Sequence, residues 1–257
     1  MIKNKVYFVG SGPGDPELIT VKAKKLLESA DTIIYSGSLL NPELLEFAKK
    51  SAKLYDAAKL NREEISDLLK KTYDNNKLGI RFHDGDPALF STIREQIDKL
   101  ELDGIECEVV PGITAILGAA SSMNLELTTP GITQTLIITR AELRTPVPAR
   151  ERISELAKHG STMAFYLSVH LIKEVVEELL NGGIYNKQTP VAVVYKATWK
   201  EEIIIRGNLE NIVEKTKKEK IIKTALIIVG EVINPKKYEL SKVYDKKFTH
   251  GYRKAKK

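Results

Sequence analysis

The chain has 257 residues, enough for one large or two medium domains with a packed core. Forty Lys and Arg stand against 34 Asp and Glu, a formal net charge of +6 that admits an anionic ligand: nucleic acid, phosphate or a small polycarboxylate. The single cysteine, Cys107, excludes an internal disulfide and a cysteine-based metal site, and without a signal peptide or long apolar span the expected protein is soluble and cytoplasmic.

The chain opens on Val6-Tyr7-Phe8-Val9, a β-branched and aromatic run that predicts a buried strand. The strand runs into Gly10-Ser11-Gly12-Pro13-Gly14-Asp15, and a glycine-rich end of this kind marks a ligand cleft at the carboxyl edge of an open α/β sheet. The spacing is not that of a dinucleotide fingerprint. Pro13 removes a donor, Pro16 follows, and helical periodicity starts only after Thr20, a predicted N-cap. No Gly-Lys-Ser/Thr follows, so a P-loop is excluded.

Strands are then predicted at 32–35, 53–56, 77–83 and 105–110, with helices at 42–50, 62–73 and 91–102 between them. This alternation predicts a mainly parallel sheet covered by helices. A small-residue helix is expected over 113–122, and the boundary to a second domain around 118–130. The second half reads as strands at 135–139, 162–167, 190–195, 202–206 and 224–229, with helices at 149–158, 172–180 and 209–217. The Ala197–Lys200 link joins two strands as a hairpin would, which predicts a mixed sheet. The expected division is 1–118, 119–240 and a basic tail at 241–257, the tail read as a solvated, partly disordered end.

Two further strand ends carry glycine: His83-Asp84-Gly85-Asp86-Pro87 and Val110-Pro111-Gly112-Ile113-Thr114-Ala115. Each alone reads as an ordinary turn. Three from one sheet form one cleft edge. Catalytic hardware is thin: His83, His159, His170 and His250 show no metal-ligand spacing, and there is no Gly-x-Ser-x-Gly elbow. Such a chain suits a reaction that needs binding and alignment more than a nucleophile or general base. Methyl transfer from a sulfonium is one.

On these three glycine motifs, and on a closing strand at Ala225–Glu231, the sequence resembles the tetrapyrrole (corrin/porphyrin) methylase family from Val6 to Ile233. The resemblance implies two α/β domains with the cofactor and substrate cleft between them, a homodimer, and S-adenosylmethionine as methyl donor, leaving as S-adenosylhomocysteine. It implies no protein-bound metal, no nucleic acid and no membrane partner. Carried over residue by residue, the cofactor contacts are Pro13, Asp84, Gly85, Asp86, Leu89, Thr114, Ala115, Leu167 and Ala197. Asp86 is expected near the methionine or ribose end, and the backbone of Leu167 and Ala197 at the adenine. Gly12, Gly14 and Asp15 are expected to line the tetrapyrrole side, where Arg140 and Arg144 would orient the acetate and propionate groups, ahead of Arg150 and Arg81.

Within the family, Tyr35-Ser36-Gly37-Ser38-Leu39, Leu136–Pro148, Phe165–Val169 and Pro190–Trp199 resemble the members that methylate carbon-11 of precorrin-4. Members that act first in the same pathway typically carry Asp where Ser36 stands. The sequence leaves open whether the substrate already holds cobalt; the Lys- and Ile-rich composition tips the expectation to cobalt. Two other readings stay open: a methyltransferase of this fold acting on another precorrin, rRNA or a protein residue, which salt-sensitive RNA binding would mark, and a non-catalytic cofactor-binding module.

Overall fold

The computed structural model describes residues 5–142 and 145–255, which divide into two compact units. One unit is Met1–Ala119 with Lys196–Glu202, and the other is Ala120–Tyr195 with Ile203–Lys257.

The first unit holds a five-stranded sheet of β1 (Val6–Gly10), β2 (Thr32–Tyr35), β3 (Lys53–Asp56), β4 (Gly79–His83) and β5 (Cys107–Val110), in the order β3-β2-β4-β1-β5. Every pairing in it is parallel. Both faces of β1 are buried, as parallel strands require. Tyr7, Val9, Ile80 and Phe82 pack with Leu26 and Leu27 of α1 (Val21–Ser29). On the opposite face Val6, Phe8 and Ile34 pack with Ile65 and Leu69 of α2 (Arg62–Asp74) and Leu100 of α3 (Ile93–Leu102). Thr20 caps α1 as predicted, its hydroxyl accepting from Ala23 N at 3.2 Å. A last helix, α4 (Ala115–Ser122), follows β5.

The second unit is mixed. Its strands β6 (Leu136–Arg140), β7 (Thr162–Tyr166), β8 (Pro190–Tyr195), β9 (Ile203–Asn208) and β10 (Ala225–Val229) lie in the order β6-β7-β10-β8-β9. Only β6 and β7 pair in parallel. Met163, Phe165, Val191, Val193, Ile227 and Val229 pack with Val175, Val176 and Leu179 of α6 (Ile172–Asn181) and with Ile212 of α7 (Ile212–Lys218).

The predicted strands are present, and the mixed character of the second sheet follows the hairpin reading. Two predicted helices are not continuous α-helix. Pro42–Phe47 is a 3-10 segment closed by bonds of the i to i+3 type, such as Leu44 N to Asn41 O at 3.1 Å. With Pro42 at its start and Leu44 as its one buried side chain, it has too little apolar face to hold a longer α-helix. The 149–158 segment splits into a 3-10 turn and α5 (Ile153–Ala157), because Arg152 adopts extended backbone. Helix α3 starts two residues later than predicted, after Thr92 at φ 50°. No described helix is long and apolar enough to cross a membrane.

Candidate active site

The carboxyl ends of β1, β4 and β5 bring the three glycine loops of the first unit together. Ser11 N donates to His83 O at 2.8 Å, and Gly12 and Gly85 exchange two backbone hydrogen bonds of 3.1 Å. The contact is backbone on backbone. A Cβ on Gly10 would stand 2.6 Å from Gly85 O and 2.7 Å from Gly112 N, which no side chain can do without moving a loop. Asp86 ties the remaining pair: its carboxylate accepts from Ala88 N at 2.8 Å and from Gly112 N at 2.9 Å.

The glycine loop after β1 is buttressed from two directions. The Asn41 side-chain amide donates to Gly14 O at 2.9 Å, and Trp199 Nε1 donates to Pro13 O at 3.1 Å. Asp15 N donates to the Thr198 hydroxyl at 3.0 Å, while the Asp15 carboxylate caps the following turn at Glu17 N. Gly14, at φ +157°, leaves the space that the Trp199 ring fills. Pro13 rests on α4 at Gly118, where a Cβ would come within 2.5 Å of the proline ring. Ala197, next to Thr198, is buried. Asn41 and Thr198 were not among the expected site residues. The Asn41-Pro42 dipeptide marks a turn, but nothing local points from it to Gly14.

Beneath the loops β4 buries two ionisable side chains, Arg81 and His83. Arg81 donates to Ile34 O at 3.1 Å and Phe82 O at 3.3 Å, and its Nε has no partner. Burial lowers its pKa to about 10, partly offset by the charge of Asp84. The His83 ring stacks on Phe8 with centroids 6.0 Å apart, and its buried Nε2 has no partner. Burial, with help from the Arg81 charge, depresses the imidazole to about 3, so His83 is neutral at working pH. Burial raises the Asp84 carboxyl; its own backbone N–H, Ser36 and Arg81 counter that only in part.

A depressed imidazole means that the unfolded chain binds the proton first. His83 therefore contributes stability that is complete above its ordinary pKa of 6.5 and is lost as pH falls toward about 3. Between pH 7 and 5 this amounts to about 2 kcal/mol. His83→Phe removes the titration and the orphaned nitrogen. Its urea midpoint is expected to fall distinctly less between pH 7 and 5 than that of the unmodified protein.

Of the expected cofactor contacts, Pro13, Asp84, Gly85, Asp86, Leu89, Thr114, Ala115 and Ala197 lie in the first unit, and all but Ala197 sit on the three loops or the turns that continue them. Leu167 belongs to the second unit, just past β7, exposed and at φ 53°. Arg140 ends β6, but its guanidinium donates to Ala141 O at 3.2 Å, Thr145 O at 3.1 Å and Pro146 O at 3.0 Å, folding its own loop. It also lines a cavity of about 340 Å³ with Glu151, Arg152, Glu174 and Glu178. Arg150 is exposed and pairs with Glu151 at 3.7 Å. Arg144 lies outside the described residues.

Residues 5–213 match the model of the Tetrapyrrole (Corrin/Porphyrin) Methylases. The chain is 55% identical over 251 residues to the cobalt-precorrin-4 C(11)-methyltransferase of Methanocaldococcus jannaschii, covering 98% of this chain and 96% of the relative. A solved structure of a cobalamin biosynthetic enzyme, cobalt precorrin-4 methyltransferase, superposes with a TM-score of 0.88 at 42% identity, over 91% of this chain and 97% of that one. The uroporphyrin-III C-methyltransferase of Thermus thermophilus, solved with S-adenosyl homocysteine, gives a TM-score of 0.76 at 29% identity, over 89% and 98% of the two chains. A family match spanning most of the chain, on three loops that close as the sequence motifs require, leaves one assignment: the chain belongs to the tetrapyrrole (corrin/porphyrin) methylase family.

Proposed function

We propose that this enzyme transfers a methyl group from S-adenosylmethionine to carbon-11 of cobalt-precorrin-4 in cobalamin biosynthesis. The observation that carries the reading is the 55% identity, over nearly the full length of both chains, to a cobalt-precorrin-4 C(11)-methyltransferase. The wider likeness to a uroporphyrin-III enzyme, at 29% identity, is the competing reading within the family. Ser36 favours the first, since the uroporphyrinogen members typically carry Asp at that position.

The donor set fits the cofactor. Asp84 sets a carboxylate beside loops built of glycine and small residues, which suits a ligand that carries positive charge and lies flat on backbone. Pro13, Asp84, Gly85, Asp86, Leu89, Thr114, Ala115, Leu167 and Ala197 would hold it. When bound, S-adenosylmethionine supplies a methyl group already activated on sulfur. The chain's own work is then placement: Asp86 holds two loops in register, and the Trp199 and Asn41 bonds fix the glycine loop that would face the macrocycle. Gly12, Gly14 and Asp15 would line the substrate side, with Arg144 and Arg140, the latter released from its bonds to Ala141 O, Thr145 O and Pro146 O, as carboxylate partners. The same reading makes the protein a cytoplasmic homodimer, without nucleic-acid or membrane partner and without a protein-bound metal.

A mixture of cobalt-precorrin-4 and uroporphyrinogen III, offered with methyl-labelled S-adenosylmethionine, tests the reading. Label is expected in cobalt-precorrin-4 alone. Label in uroporphyrinogen III would move the enzyme to the first step of the pathway.

A further inference from the structure

The positive charge of this chain is not spread over it. Residues 236–257 hold nine of the 40 Lys and Arg and two of the 34 Asp and Glu, so the remaining 235 residues carry 31 cations against 32 anions. A nearly neutral body is a poor collector for a substrate with many carboxylates. Its arginines are largely committed: Arg81, Arg140 and Arg206 donate to backbone carbonyls, and Arg62, Arg94 and Arg150 pair with carboxylates.

The described part of the tail is folded, and folded so as to leave its lysines free. Glu239 N donates to Pro130 O at 2.9 Å, anchoring the segment to the second unit. Arg253 clasps it, donating to Val243 O at 2.8 Å and Asp245 O at 2.6 Å, and His250 and Arg253 exchange two backbone bonds. The His250 ring lies 6.4 Å from both Phe248 and Tyr252. The Asp245 carboxylate is spent on Lys247 N. Lys236, Lys237, Lys242, Lys246, Lys247 and Lys254 are all exposed, and among the described residues none joins an ion pair. Tyr244 and Tyr252, in the same segment, stand 83% and 100% exposed.

We propose that residues 236–255 are an electrostatic capture site for the carboxylate-rich face of the tetrapyrrole substrate. The inference rests on the substrate class proposed above. Lysines meet acetate and propionate groups as mobile point charges, and the tyrosines offer surface to the macrocycle. Capture of this kind acts on encounter rather than on the bond-making step, so it raises association and is screened by salt.

The test is the variant with those six lysines changed to Gln, against a control in which Lys50, Lys59, Lys71, Lys187, Lys218 and Lys223, all exposed, are changed instead. The probe is uroporphyrin, read by its fluorescence over a range of salt. Binding to the tail variant is expected to weaken about tenfold, with a flatter salt dependence, while the control stays within about twofold of the unmodified protein. In turnover with cobalt-precorrin-4 the tail variant should show a raised KM with kcat nearly unchanged. Equal weakening in both variants would overturn the proposal, since net charge and not the tail would then matter. So would tail-dependent binding of a single-stranded RNA tighter than that of uroporphyrin. Absence of methylation in the unmodified protein would sink the functional reading instead, and the uroporphyrin comparison would still decide the role of the tail.

Discussion

Gly10→Ala is expected to cost about 3 kcal/mol of stability and to lower kcat/KM about 100-fold. Gly10 ends β1, where the three loops meet. The added methyl would lie 2.6 Å from Gly85 O, 2.7 Å from Gly112 N and 2.8 Å from Gly112 Cα, all backbone atoms, so no side chain can swing aside. The loops must part, and with them the residues proposed to hold the cofactor. In a chain of this size the stability loss corresponds to a fall in Tm of roughly 10 °C. Gly251→Ala is the control for stability: nothing lies within 4 Å of its added Cβ, and Tm should stay unchanged. A Gly10→Ala protein with normal Tm and normal cofactor affinity would show that the loops are not clamped together as described.

The second large effect is expected for Asp86→Ala. The carboxylate of Asp86 was expected at the cofactor itself, and that contact is retained in the proposed function. The structure adds a prior duty: both oxygens accept backbone N–H groups, from Ala88 and from Gly112. Removing them leaves Gly112 N without its acceptor, at about 2 kcal/mol for charge-assisted bonds at a half-buried site. Affinity for S-adenosylmethionine should fall about 30-fold, because a displaced loop after β5 moves Thr114 and Ala115 as well. Two measurements separate the tie from a direct contact. In the cofactor-free variant, Gly112 and Ala88 amides should exchange with solvent faster than in the unmodified protein. Asp86→Asn, which keeps one good acceptor, should fall between the two. Unchanged amide exchange in Asp86→Ala would leave only the direct contact.

Much of this fold is legible in the chain because burial on both faces of a parallel strand demands β-branched and aromatic residues without a break. Val6–Val9 and Thr32–Tyr35 read as strands for that reason, and Ala225–Val229, central in the mixed sheet with antiparallel neighbours on both sides, is just as continuously apolar. Glycine at the ends of β1, β4 and β5 likewise signals close approach, and the structure brings those ends into contact. What is not legible depends on partners far along the chain. Trp199 lies in the link read as a hairpin between two strands, yet its bond to Pro13 spans 186 positions. Nothing near Asn41 indicates that its amide will hold Gly14. Arg140 looks like a free cation at a strand end, and only the folded loop shows that Thr145 O and Pro146 O take its hydrogens. The 3-10 turn at Pro42–Phe47 is missed for a local reason: six residues carry too few apolar positions to separate one kind of helix from another.

Burial of ionisable groups beneath the loops has a second consequence. Arg81, His83 and Asp84 each shift toward the neutral form, and desolvation is the first cause in all three. Burying such groups carries a desolvation cost, and β4, buried along its whole length, could have carried apolar residues in their place. Their concentration at the carboxyl end of β4 marks the same edge of the sheet that the glycine motifs mark.

The position of the new methyl group defines the reaction. Purified protein, stoichiometric cobalt-precorrin-4 and S-adenosylmethionine carrying carbon-13 in its methyl group, run for one turnover, would be read by mass spectrometry and NMR. The expected result is a single added methyl, on carbon-11. A methyl on any other carbon would contradict it, leaving the family assignment in place and removing the proposed reaction.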